Sequence, residues 1–295
     1  MRRVTDTPQD DAAPRTTPKE LPRAPGRASS KAPKEAPKRA PYVQVQAHRG
    51  GAKLAPENTM AAFRRAADLG VPWFEFDVRR CSSGELIVHH DRTLQRLAGL
   101  DLDVTATPWS RLKDVDVGSH FSEEFAGEPI PLLEEVVATF RGRVRFNIEI
   151  KEDTLRGDGT ALAVADFIRA TGLYSDCIVS SFNPGSLLRV KLRCDAPLAL
   201  VYPDDGPRLR DRLLRRPWAA PLLSVYALHP SHRVVTPDLV RKAHLRGLAV
   251  NTWTVNDEAR MRELVDMRVN ALITDVPDVA LTLLDEVDPF LGGST

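Results

Sequence analysis

The chain lacks the features of a disulfide-stapled, membrane-spanning or nucleic-acid-binding protein. Three cysteines, Cys81, Cys177 and Cys194, are all that occur in 295 residues. Their number is odd and none forms a CxxC pair, which argues against a disulfide framework or a thiolate metal site and fits reduced thiols. No window approaches the roughly 20 apolar residues of a membrane helix. Arg2 and Arg3 are followed by no apolar stretch of signal-peptide length. A cytoplasmic protein without stable membrane insertion is therefore expected. Charge of one sign is missing too, since 41 Lys and Arg face 40 Asp and Glu. Residues 1–40 hold ten Lys/Arg against five Asp/Glu, so the rest of the chain sums to −4 within a net charge of +1. A body of that sign offers no basic face, and no nucleic-acid partner is expected.

Large apolar residues are scarce from Met1 to about Pro41, where Pro, Ala, Lys and Arg recur without a period. Such a segment cannot bury enough surface to offset its ordering entropy, so residues 1–41 are expected to form a disordered tail. A second, short tail is expected at 290–295. Between them, residues 42–289 are long enough for one large core, and single α/β barrels commonly reach this size.

Within that body, short apolar or β-branched runs alternate with amphipathic stretches, the pattern of βα units and a parallel sheet. The strand candidates are Val43–His48, Trp73–Val78, Val144–Ile150, Cys177–Phe182, Pro197–Tyr202, Leu222–Leu228, Leu248–Thr254 and Ala271–Thr274. Eight such strands predict an α/β fold, a (β/α)8 TIM barrel. A ninth run, Glu85–His90, follows the second strand too closely for a helical crossover and should return as a hairpin-like excursion. Residues of about 100–140, with Pro108, Gly118, Gly127, Pro129 and Pro131, fit no single βα unit and read as a small insertion near the barrel mouth. Asn58 is expected to open one helix, Thr236 and Pro237 a second, and Asn256 a third.

Side chains alternate across a strand, so Glu75 and Asp77 share one face of Trp73–Val78 while Phe74, Phe76 and Val78 share the other. The apolar face belongs against outer helices. Two carboxylates are then directed into a barrel interior, which is costly unless a cation or partner compensates. By the same alternation Asn147, Glu149 and Lys151 share a face, which adds a third carboxylate. His48 ends the first strand on the face of Gln44 and Gln46. All of these, with His90, fall near the C-terminal ends of strands, where barrel active sites are built. Three carboxylates without a cysteine suit a hard cation, Mg2+ or Ca2+, and imidazoles suit proton transfer near neutral pH. Alternation alone does not choose between His89 and His90, because both faces of Leu86–Asp91 carry apolar residues. His120, His229, His232 and His244 lack comparable context and are expected to be structural or exposed.

Seven short motifs stand in order over roughly residues 43–280: His48-Arg49-Gly50, Pro56-Glu57-Asn58-Thr59, Glu75-Phe76-Asp77, His90-Asp91, Ile148-Glu149-Ile150-Lys151, Trp253-Thr254-Val255-Asn256 and Thr274-Asp275-Val276-Pro277. Together they resemble the glycerophosphodiester phosphodiesterase family, and Gly127-Glu-Pro-Ile-Pro131 resembles that family's insertion. The chain departs from the family pattern at Gly70-Val-Pro-Trp73 and Ser82-Ser83-Gly84, neither of which contains a proposed ligand.

The resemblance implies that His48 and His90 form a general acid/base pair, that Glu75, Asp77 and Glu149 hold one divalent cation, that Arg49 and Lys151 offset phosphate charge, and that Trp253 lines a glycerol site. It selects His90 over His89 because the motif is histidine followed by aspartate, with Asp91 placed to help orient the site. The implied reaction is hydrolysis of a small-molecule glycerophosphodiester to glycerol 3-phosphate and an alcohol. Two other readings stand beside it. One is a lysophospholipase D or sphingomyelinase D-like barrel enzyme that releases a cyclic phosphate; the other is a non-catalytic phosphodiester-binding protein.

Overall fold

The computed structural model describes residues 43–204 and 219–287, so the expected tails at 1–41 and 290–295 lie outside the described residues. In chain order the strands are β1 (Gln44–His48), β2 (Trp73–Arg80), β3 (Leu86–Val88), β4 (Thr93–Leu94), β5 (Leu100–Asp103), β6 (Arg145–Ile150), β7 (Cys177–Ser181), β8 (Leu198–Tyr202), β9 (Ala227–Pro230), β10 (Ala249–Thr252) and β11 (Ala271–Thr274). β1, β2 and β6 through β11 pair in parallel all the way round, and the ring closes because β1 bonds both β2 and β11. This is the expected (β/α)8 barrel. The excursion also takes the expected form, with β3 lying antiparallel on β2 from Val78↔Val88 to Arg80↔Leu86.

Apolar alternation decides which face of each strand meets the helices. Phe74 and Phe76 point outward: Phe74 stacks on Phe63 of the helix Met60–Asp68 and meets Phe140 of the helix Leu133–Phe140 edge-on, and Phe76 meets Phe63 edge-on, at ring separations of 5.1–5.6 Å. All four rings are buried, and each contributes roughly 2–3 kcal/mol by leaving water. The inward face is built in layers two residues apart. The lowest is apolar, with Ile178, Ala199 and Ala227 packed beside Trp73 and Ala249. Above it lies a neutral polar layer that satisfies itself: Asn147 donates to Gln46 at 2.9 Å, Ser180 donates to Asn147 at 2.8 Å, and Asn251 donates to His229 at 2.9 Å. The next step up brings His48, Asp77, Glu149 and Trp253 to the C-terminal mouth.

Three local expectations change. The run Leu222–Leu228 is not one strand, because Pro221 opens a short helix, Ala220–Leu223, and Ser224 at φ 50° ends it before the strand begins at Ala227. The insertion starts earlier than expected, at the antiparallel β4–β5 pair, and ends near Pro131. Beyond that point Glu135 accepts from the Leu132 N–H at 2.9 Å and opens the ordinary barrel helix Leu133–Phe140. Neither Asn58 nor Asn256 caps a helix. Thr59 and Asp257 do, each accepting a backbone N–H of the first turn. The helix opened by Thr236 and Pro237 is as expected. Among the described residues, no helix is long and apolar enough to cross a membrane, and the three cysteines are buried and unpaired.

Candidate active site

The turn after β1 shapes the site. Arg49, Gly50 and Gly51 all have positive φ, at 52°, 82° and 91°. A side chain on Gly50 would begin 2.8 Å from the Ala62 methyl, so only glycine lets the turn sit this close to the first helix. This geometry aims the Arg49 backbone N–H at Glu75 Oε2, 3.1 Å away. It also lets the guanidinium reach Glu57 Oε1 at 2.8 Å and Asp77 Oδ2 at 3.2 Å.

Parallel register of β2 on β6 sets Asp77 against Glu149. One oxygen from each of Glu75, Asp77 and Glu149 lies within 4.8 Å of the others, and all three residues are buried. Burial, reinforced by Asp77 and Glu149 against the opposing pull of His48, pushes the Glu75 carboxyl up to about 8. Burial works the same way on Asp77, but Lys151 and Arg49 overcome it and hold that carboxyl far below the usual range. Lys151 Nζ stands 3.0 Å from Asp77 Oδ1 and also pairs with Glu149 Oε1. Glu75 Oε1 is buried with no hydrogen-bond partner at all. An orphaned carboxylate oxygen beside two more carboxylates, with no sulfur or imidazole in the cluster, is a donor set that fits a hard divalent cation.

Two of the three histidines that line the cleft, His48 and His90, have a carboxylate behind them. His48 Nδ1 lies 2.6 Å from Asp275 Oδ1, and His90 Nδ1 lies 2.7 Å from Asp91 Oδ1. A carboxylate cannot donate, so both rings carry the Nδ1 proton and leave Nε2 for other chemistry. His48 Nε2 faces Glu75 Oε2 at 3.9 Å. Burial opposes charge on His48, but Glu75 and Asp275 outweigh it and raise the pKa; His90 is lowered, first by burial. Asp275 is itself fixed by Asn256, which donates to its Oδ2 at 2.7 Å and accepts from its backbone N–H at 2.9 Å. Asn58 likewise donates to Asp77 Oδ2 at 2.9 Å. The two asparagines expected at helix starts therefore serve the site instead.

The cleft is lined by seven of the eight residues singled out from sequence: His48, Arg49, Glu75, His90, Glu149, Lys151 and Trp253. The eighth, Asp77, stands in register with Glu149 but is 1% exposed and does not line the cleft. Trp253 donates its indole N–H to the His229 carbonyl at 2.8 Å and meets Phe182 edge-on at 5.3 Å, forming an aromatic wall. Sequence reasoning missed Asp275, Asn256, Glu57 and Phe182. The first three stand inside motifs it quoted without giving them a role in the site.

His229, expected to be structural or exposed, is buried and borders the cleft floor. Burial pushes its pKa down to about 3. The unfolded chain would bind this proton near the ordinary 6.5, so the folded state loses stability as pH falls from about 6.5 toward 3, at about 1.4 kcal/mol per unit. Between pH 7 and 5 this residue is expected to cost about 2 kcal/mol. Urea titrations of wild type and His229→Gln at both pH values check it, with a smaller acid loss expected in the variant. Equal losses would count against the burial argument.

The profile of the glycerophosphoryl diester phosphodiesterase family matches residues 48–279. A glycerophosphodiester phosphodiesterase of Caldanaerobacter subterraneus subsp. tengcongensis is 34% identical, with 81% of this chain and 97% of the relative covered. One from Bacillus altitudinis is 32% identical over 83% of this chain and 99% of its own. Among solved structures, an Oleispira antarctica phosphodiesterase in complex with the product sn-glycerol-3-phosphate superposes with a TM-score of 0.73 at 27% identity, covering 82% of this chain and 96% of that one. With its barrel and its ordered motifs, this chain belongs to the glycerophosphoryl diester phosphodiesterase family.

Proposed function

We propose that the chain hydrolyses glycerophosphodiesters to glycerol 3-phosphate and an alcohol. In this reading His48 and His90 are the acid/base pair, and Glu75, Asp77 and Glu149 hold one divalent cation, Mg2+ or Ca2+. The observation that carries it is the juxtaposition of two carboxylate-backed histidines with one buried cluster of three carboxylates in a single cleft. Relatives with this activity, and a product-bound structural neighbour, support the choice of substrate.

The chemistry divides among the chain's own groups. Asp275 and Asp91 hold the two imidazoles with Nε2 available. One Nε2 removes the proton of the attacking hydroxyl, the other protonates the departing alkoxide as the P–O bond to the alcohol breaks, and one water, deprotonated in turn, supplies the oxygen that leaves the product as glycerol 3-phosphate. Arg49 and Lys151 set positive charge where a phosphate enters, offsetting the charge that grows on its oxygens in the transition state. The rings of Trp253 and Phe182 offer an apolar wall to the glycerol carbons. A divalent cation held by Glu75, Asp77 and Glu149 would supply Lewis-acid stabilisation of the charge that grows in the transition state.

A panel of glycerophosphodiesters, followed by 31P NMR, tests the reading. Glycerol 3-phosphate and free alcohol are expected; a ring phosphate as the final product, or no turnover of any member, would overturn it.

Lys151→Met is expected to lower catalytic efficiency by about 10–100-fold while shifting the melting temperature by only a few degrees. Lys151 contacts Asp77 and Glu149 and sits 5.6 Å over the Phe182 ring, and its neighbours are site carboxylates rather than surface groups. Steady-state kinetics beside thermal melts check this, and unaltered efficiency would make Lys151 a plain ion pair.

A further inference from the structure

We propose that Arg96 is a positioning residue for the two-histidine reaction, a role that rests on the reading above: it locks the segment bearing His90 to the segment bearing His48 and Arg49. Arg96 belongs to the insertion, in the short helix Gln95–Ala98, and its side chain is 47% exposed. It does not line the cleft. Its bonds, however, run to two carboxylates on two different loops. Nη1 and Nη2 donate to Glu57 Oε2 and Oε1 at 2.8 and 2.6 Å, and Nε donates to Asp91 Oδ2 at 2.7 Å. Each acceptor then holds a cleft residue: Glu57 Oε1 accepts from Arg49 Nη1 at 2.8 Å, and Asp91 Oδ1 accepts from His90 Nδ1 at 2.7 Å.

The fork matters more than the charge. A guanidinium spans two carboxylates in one plane, which an ammonium cannot do. With Oδ2 fixed by Arg96, the Asp91 carboxylate cannot turn away, and Oδ1 stays aimed at His90. Without Arg96, Asp91 faces solvent on one side and is free to swing, and the imidazole loses the partner that sets its tautomer and rotation. A catalytic group displaced by about 1 Å can cost about 100-fold in rate. The competing account is an ordinary exposed ion pair, which stabilises little and would move neither stability nor rate.

The two accounts separate in the full chain with R96M, R96K, D91N and the double variant. R96M is expected to melt within about 3 °C of wild type. Its kcat on glycerophosphocholine is expected to fall about 10–100-fold, with KM changed by less than about threefold. R96K should recover little of this loss. In the D91N background R96M should cost less than about threefold more, because the two residues act in series. In 15N NMR, His90 should hold one Nδ1–H tautomer in wild type and average both in R96M. Wild-type kcat in R96M, full recovery in R96K, additive losses in the double variant, or an unchanged His90 tautomer would each overturn the inference. If wild type itself turned over no glycerophosphodiester, the parent reading would fail, and the NMR comparison would still decide whether Arg96 positions His90.

Discussion

His90→Ala is expected to lower turnover of glycerophosphocholine by at least about 100-fold, the scale of a lost acid or base, while His89→Ala stays within a few-fold of wild type. The two neighbours occupy opposite environments. His90 lines the same cleft as Glu75 and Lys151 and is held by Asp91. His89 is 1% exposed and points away, its Nε2 lying 3.4 Å from the Thr93 carbonyl. Burial pushes the His89 pKa down to about 4, which keeps the ring neutral near pH 7. Its backbone N–H bonds the Asp77 carbonyl at 3.0 Å, a contact that alanine keeps. His89→Ala should therefore act through stability, at about 1–3 kcal/mol for an emptied buried site. The measurement is kcat for both variants, each verified as folded by circular dichroism. A dead His89→Ala beside a healthy His90→Ala would mean that the second histidine of the pair had been misassigned.

That pair also marks where sequence reasoning reaches its limit. Two-residue alternation placed Glu75, Asp77, Glu149 and Lys151 together because the outward faces of their strands are phenylalanine and isoleucine, which leaves one register that buries both. The barrel itself was legible for the same reason. Leu86–Asp91 had apolar residues on both faces, so there the period was silent and only the His90-Asp91 motif decided. Asn58 and Asn256 misled for a different reason. Each stands next to the true cap, Thr59 or Asp257, and asparagine caps helices as well as either. What distinguishes them is a partner far along the chain, Asp77 for one and Asp275 for the other, and a local pattern does not report such contacts. Asp275 and Arg96 were missed in the same way: their bonds form only once β11 closes on β1 and the insertion brings Arg96 against Glu57 and Asp91.

Exhaustive chelation is expected to abolish most of the turnover, by about 100-fold or more, and to lower the melting temperature of the chelated protein relative to protein in excess Mg2+ or Ca2+. Three carboxylates whose oxygens lie within 4.8 Å of one another would be three like charges in a buried place if all were ionised, and without a cation Glu75 is held back from ionising. Lys151 and Arg49 neutralise Asp77 and help Glu149, yet Glu75 keeps an unpartnered oxygen and a pKa near 8. The protein's own cations therefore leave the cluster undercompensated, and a bound divalent ion relieves that cost in the folded state alone. At a hundredfold excess over Kd such binding adds about 2.7 kcal/mol, which raises Tm by about 5–10 °C in a domain of this size. Glu75→Gln separates the two consequences. It removes one ligand and leaves a group that cannot ionise, so the chelated variant should melt at or above the chelated wild type, while added cation should raise its Tm by less and restore little activity. Scanning calorimetry and kinetics on both proteins, with EDTA and with each ion, make the comparison. Full turnover after chelation, together with a melting temperature indifferent to either ion, would leave the carboxylates without a metal and require another account of why they are buried together.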